Sequence, residues 1–160
     1  MKYEIYTDGA CSVNKRLGGY AAIAKFDGQQ IVVHGNKKNA TNNEMELLAV
    51  ISILHVLQEQ HLKKKDEVII YSDSAYVVNA VNEKWLGRWI RNSWRTADNK
   101  SVKNSTLWLT LQSYIAEFVR CEVKYAFVKV KGHSDCKLNN YVDRLAVRES
   151  QLLKDNWLED

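Results

Sequence analysis

Val68-Ile69-Ile70-Tyr71-Ser72-Asp73 decides the fold. A continuous apolar run of this length, closed by a polar residue, reads as a strand buried on both faces, the kind that sits in the middle of a sheet with parallel neighbours. Upstream of it, Asn43–Gln60 carries Met45, Leu48, Ile51 and Val56 at helical spacing, and Thr41-Asn42-Asn43-Glu44 has the S/T-x-x-E pattern of a capping box. Further upstream, Lys2–Thr7 alternates as a strand and ends at Asp8-Gly9. Gly19–Phe26 and Gln30–Asn36 flank Asp27-Gly28, a dipeptide that favours a tight hairpin. Downstream come helical segments at Ser74–Asn82 and through a tryptophan-rich stretch, an amphipathic helix at Thr106–Phe118, and an alternating strand at Glu122–Val130. The loop Lys131–Ser134 and a last helix near Asn140–Leu153 follow. The expectation is an α/β fold: a five-stranded mixed sheet, three antiparallel strands and then parallel ones, with helices on both faces.

The chain has 160 residues, the size of one domain, with 46% hydrophobic and 26% charged residues, which excludes disorder. Proline is absent, so Pro-rich linkers and collagen-like repeats are excluded too. Cys11, Cys121 and Cys136 are odd in number and widely spaced, which argues against a disulfide framework and a structural zinc site. The longest apolar stretch, Leu47–Leu57, is too short for a membrane span, and the N-terminus lacks a signal-peptide core. A single-domain, soluble, cytoplasmic protein, a monomer with no membrane association, is expected.

Net charge is +4, but the twenty residues Lys84–Lys103 alone carry +5 and hold three of the five tryptophans. Arg88 and Arg91 interleaved with Trp85 and Trp89 suit a polyanion with exposed rings, a nucleic acid, although each single tryptophan also suits a core position.

Four acids converge on this topology. Asp8 ends the first strand, and a parallel crossover through helix 43–60 brings Asp73, at the end of the fourth, beside it. Open α/β sheets bind ligands at that edge. Glu46 and Asp143 are expected in the first turns of their helices, close to the same edge. Each alone has a plain explanation in the helix dipole or a turn. Together they disfavour joint ionisation and call for a hard divalent cation such as Mg²⁺. His133, ten residues before Asp143, is placed to move protons near the cluster. His34, His55 and His61 have no acidic partner at ligand spacing and read as structural.

At these residues the sequence resembles type 1 ribonuclease H, over essentially its whole length. The matching pieces are Tyr6-Thr7-Asp8-Gly9, Gly18-Gly19-Tyr20, Thr41–Leu47, Ser72-Asp73-Ser74-Ala75-Tyr76, Trp94–Asp98, Val128–His133 and Asp143-Arg144-Leu145-Ala146. The resemblance implies a ribonuclease H-like fold and an endonuclease that hydrolyses the RNA strand of RNA–DNA hybrids, leaving 3′-hydroxyl and 5′-phosphate ends. It implies two Mg²⁺ ions, with Mn²⁺ as a substitute, on Asp8, Glu46, Asp73 and Asp143, and an accessory His133. Asn14 and Asn42 fall on positions that read the minor groove of the hybrid, and Thr41 and Asn104 on positions that hold a DNA phosphate. The Trp85–Lys103 region falls on the basic protrusion of bacterial members. Ala75 stands where some relatives have an amide, and Asn39 where several have arginine. Three other readings stay open: the ribonuclease H domain of a retroelement polymerase, a non-cleaving hybrid-binding module, and a phosphoacceptor receiver domain.

Overall fold

The computed structural model describes residues 1–12, 14–131 and 136–159, with side chains as far as Leu153. Five strands form one sheet in the order β3-β2-β1-β4-β5: β1 (Lys2–Cys11), β2 (Gly18–Phe26), β3 (Gln29–Lys37), β4 (Glu67–Ser72) and β5 (Lys124–Lys129). β1, β2 and β3 form an antiparallel meander, while β4 runs parallel to β1 and β5 parallel to β4. Asp27 and Gly28, between β2 and β3, both have positive φ, as the expected tight hairpin requires. The meander excludes the receiver-domain alternative, in which strand and helix would alternate from the start.

The helices are α1 (Asn42–Leu57), α2 (Ala75–Asn82), α3 (Trp85–Arg91), α4 (Ser105–Arg120) and α5 (Lys137–Glu159). They cover both faces, as expected. On one face α1, α2 and α4 close the main core over Ile5, Val68 and Ile70. The apolar seam under α5 is much smaller, with Ala21, Ile23, Val142 and Ala146 at its centre. Among the described residues no helix is long and apolar enough to cross a membrane.

Three local expectations are corrected. β1 does not end at Asp8 but runs on to Cys11, because β2 still pairs with it through Cys11↔Gly18 after β4 has stopped at Thr7↔Ser72. The capping box is half formed: Thr41 Oγ1 accepts from the Glu44 N–H (3.2 Å), but the Glu44 carboxylate pairs with Lys37 instead. Glu46 and Asp143 lie beyond the first turns of α1 and α5, so the helix dipole, which acts within the first turn, does not explain them.

Candidate active site

Side chains alternate along a strand. On β1, Ile5 packs into the main core and Tyr6 and Ala10 pack toward α5. Asp8 therefore projects on the α5 side and Gly9 on the α1 side. Parallel pairing between β1 and β4 ends at Thr7↔Ser72, so Asp8 and Asp73 leave the ladder together on adjacent strands. Glu46 arrives from the other face. A Cβ on Gly9 would stand 2.5 Å from the Glu46 nitrogen and 2.6 Å from the Met45 carbonyl carbon, so only glycine lets α1 lie this close to β1. Asp143 comes from α5 and lines the same cleft as Asp8.

Asp8, Glu46 and Asp73 each offer a carboxylate oxygen within 4.8 Å of the others. With Asp143, Asn42, Ala75 and Tyr76 they line one open cleft. Asp8 is buried, and burial, the Asp73 charge and the Asp143 carboxyl push its own carboxyl up to about 8. Burial and the charges of Asp8 and Asp73 raise Glu46 well above the usual carboxylate range. Asp73 is raised chiefly by burial, with Asp143 adding to this and the Lys129 ammonium opposing it. Glu46 Oε2 is buried with no hydrogen-bond partner among the described residues. Hard oxygen donors only, one of them unpartnered, and like charges resisting ionisation make a set that a divalent cation satisfies.

The structure thus brings the four predicted acids to one cleft. His133 lies outside the described residues. Asn42 lines the acid cleft, and Thr41 caps α1 beside it. Asn14 is exposed in the loop after β1. Asn104 caps α4 and donates from Nδ2 to the Tyr76 hydroxyl (3.4 Å). Trp85 and Trp89 are partly buried, 6.2 Å apart between ring centroids, and pack against the main core. Their outer edges line a groove with Arg88, Arg91 and Arg95. The segment is therefore cationic outside and aromatic underneath.

Two residues escaped the sequence reading. Tyr76 accepts from Trp108 Nε1 at 2.8 Å and so joins the acid cleft to the core. A buried indole needs a partner for its N–H, but nothing in the sequence says which. Glu149 is a buried acid partnered by His34, a contact that ties this histidine to α5. The pair is 115 positions apart in the chain, beyond the reach of any spacing rule.

Sheet order and the acid cleft at its edge define the ribonuclease H-like class of α/β folds. The family model for RNase H matches residues 1–151. Ribonuclease H of Chlorobium chlorochromatii is 49% identical over 142 residues, covering 89% of this chain and 90% of that one. Ribonuclease H of Chlorobium phaeobacteroides strain BS1 is 44% identical over 155 residues, 97% of each chain. Among solved structures, the N-terminal RNase H domain of Rv2228c from Mycobacterium tuberculosis superposes with a TM-score of 0.73 at 22% identity, covering 97% of each chain. LC11-RNase H1 in complex with an RNA/DNA hybrid superposes with 0.67 at 20% identity, covering 94% of this chain and 98% of that one. The chain belongs to the RNase H family, and it is an enzyme, a ribonuclease H.

Proposed function

We propose that this enzyme is an endonuclease that cuts the RNA strand of RNA–DNA hybrids, with Asp8, Glu46, Asp73 and Asp143 holding two Mg²⁺ ions (or Mn²⁺) and leaving 3′-hydroxyl and 5′-phosphate ends. The observation that carries the reading is the three-acid cluster, with Asp8 and Glu46 buried and Asp73 half-buried, and the Glu46 Oε2 that no described residue partners. Divalent ions at such a site acidify water and neutralise charge on the attacked phosphate and the leaving oxygen.

The protein residues supply the frame. Asp8 is paired with Ala21 of β2, one residue past the last pair with β4, and Glu46 is held against the strand by the Gly9 contact, so neither carboxylate has to be ordered when substrate arrives. Asn42, which lines the cleft, is assigned to the 2′-hydroxyls, the group that separates RNA from DNA. Asn14 is assigned to the same groove, and Thr41 and Asn104 to a phosphate of the DNA strand. Arg88 and Arg91, over Trp85 and Trp89, neutralise the backbone of the duplex. His133 is assigned an accessory proton transfer. All of this belongs to one catalytic domain, working as a monomer in the cytoplasm. The complex of LC11-RNase H1 with a hybrid supports the substrate, since that protein shares this fold. A non-cleaving module would leave the buried acids without a task.

Labelled RNA–DNA, RNA–RNA and DNA–DNA duplexes, each with and without Mg²⁺, test the proposal. Cleavage confined to the RNA of the hybrid and dependent on the metal is expected. Equal cutting of all three duplexes, or undiminished cutting in chelator, would overturn it.

A further inference from the structure

We infer that Glu149 is a positioning residue for Asp143, and that α5 acts between them as a lever resting on Gly19. Asp143, Ala146 and Glu149 follow one another at three-residue intervals, so they lie on successive turns of α5. At the middle one the helix backbone rests on β2. A Cβ on Gly19 would lie 2.1 Å from the Ala146 carbonyl oxygen and 2.6 Å from the Ser150 nitrogen. One turn toward the start of α5, Asp143 lines the acid cleft together with Asp8. One turn the other way, the Glu149 side chain is only 8% exposed and reaches across to β3. His34 Nδ1 lies 2.5 Å from its Oε1, and Asn36 Nδ2 donates to its Oε2 at 2.7 Å. Both oxygens are therefore held by one strand, at positions that pair with Ala21 and Gly19 of β2.

The apolar seam between α5 and the sheet is small: Ala21 and Ile23 of β2 meet Val142 and Ala146 of α5, with Tyr6, Val32, Leu138 and Leu145 packed around them. The two alanines at its centre offer no interlocking side chain against a swing. With a rise of ~1.5 Å per residue, Asp143 and Glu149 are each about 4.5 Å along the axis from Ala146. A displacement at the Glu149 end therefore reaches Asp143 at about equal size and opposite sense. The clamp on β3 sets how far Asp143 reaches toward Asp8.

The inference rests on the proposed role of Asp143 in the acid site, and the test separates the two. Glu149→Leu removes the clamp. Glu149→Gln keeps it, because the Asn36 amide can turn over to accept from the new amide. His34→Leu with Asn36→Leu removes it from the sheet side. For the Leu variants kcat should fall about ten- to a hundredfold, the scale of a ~1 Å misplacement, and Mn²⁺ binding to the free protein, read by calorimetry, should weaken. KM for the hybrid should stay within about twofold, and Glu149→Gln should match the wild type within about twofold in every reading. If Glu149→Leu fails to fold, the sheet-side double variant carries the same test, since the His34 side chain is half exposed. A cooperatively folded Leu variant with unchanged kcat and Mn²⁺ affinity would overturn the lever. So would Glu149→Gln losing as much as Glu149→Leu. Asp143→Asn, run alongside, should lose activity; full activity there would overturn the acid-site reading and the lever with it.

Discussion

Gly9 lies against Glu46 backbone to backbone, with room for no side chain between the strand that carries Asp8 and the helix that carries Glu46. The distance between two of the four acids is thus set by a missing Cβ. Gly9→Ala must push α1 away from β1 or strain the strand. A loss of about 1–3 kcal/mol is expected, the usual cost of overpacking a tight contact. Urea unfolding measures that loss. Cleavage by the protein that remains folded should drop further than the stability change accounts for, because Glu46 moves with the helix.

Asp8→Asn should abolish cleavage and leave hybrid binding intact, since the cationic groove at α3 is remote in sequence from the acid and keeps its side chains. Without metal, the variant should also melt higher than the wild type at neutral pH. It removes a carboxyl that the native state must hold protonated at a pH where the unfolded chain ionises it. Each kcal/mol regained appears as about 2–4 °C in Tm. Near-normal turnover in Mg²⁺ would contradict the assignment of Asp8.

In chelator, the acid cluster should make the protein less stable as pH rises from about 4 to about 8. Asp8, Glu46 and Asp73 are all raised above their ordinary values, so in this window the native state binds more protons than the unfolded chain. Stability falls with pH wherever that holds. The contribution is fully present below the ordinary carboxylate range and is lost as pH passes the raised values. Melting curves in EDTA, taken as wild type minus Asp8→Asn, isolate it from the other titrating groups. Adding Mg²⁺ should cancel the decline at the upper end. A difference curve that rises with pH would be the wrong sign.

Arg88→Glu with Arg91→Glu should weaken hybrid binding and flatten its salt dependence, with log K against log salt losing about 0.9 per phosphate contact removed. Both arginines are exposed, so the melting temperature should barely move. Filter binding across a salt series reads the slope. An unchanged slope would take the protrusion out of the interface.

Tyr76→Phe leaves the buried Trp108 indole N–H without its acceptor. A destabilisation of about 1–3 kcal/mol is expected from the unsatisfied donor. Thermal melts check it.

Short-range signals are legible in the sequence. The Asp27-Gly28 hairpin, the apolar run of β4 and the helical spacing of α1 are properties of neighbours in the chain, and all three appear at those places. The misreadings have a common origin. The end of β1 depends on how far β2 keeps pairing with it, and the Glu44 carboxylate left the capping box because Lys37, on another element, competes for it. Trp85 and Trp89 were open between core and contact because periodicity does not say what lies beneath a short helix. The main core lies beneath it, and Trp108 completes the cluster 5.5 Å from Trp89.

Order and type of the elements, the charge of Lys84–Lys103 and the identity of the four acids were determined by the residues alone, because helix and strand periodicity and hydrophobic patterning act over a few positions. Contact was decided by folding. The Gly9–Glu46 approach, the shift of Asp8 to about 8 and the clamp of Glu149 on β3 each join residues dozens to more than a hundred positions apart. Coulomb interactions, desolvation and steric exclusion depend on separation in space. That separation exists only once the sheet has placed its strands and the two helix layers have closed on it.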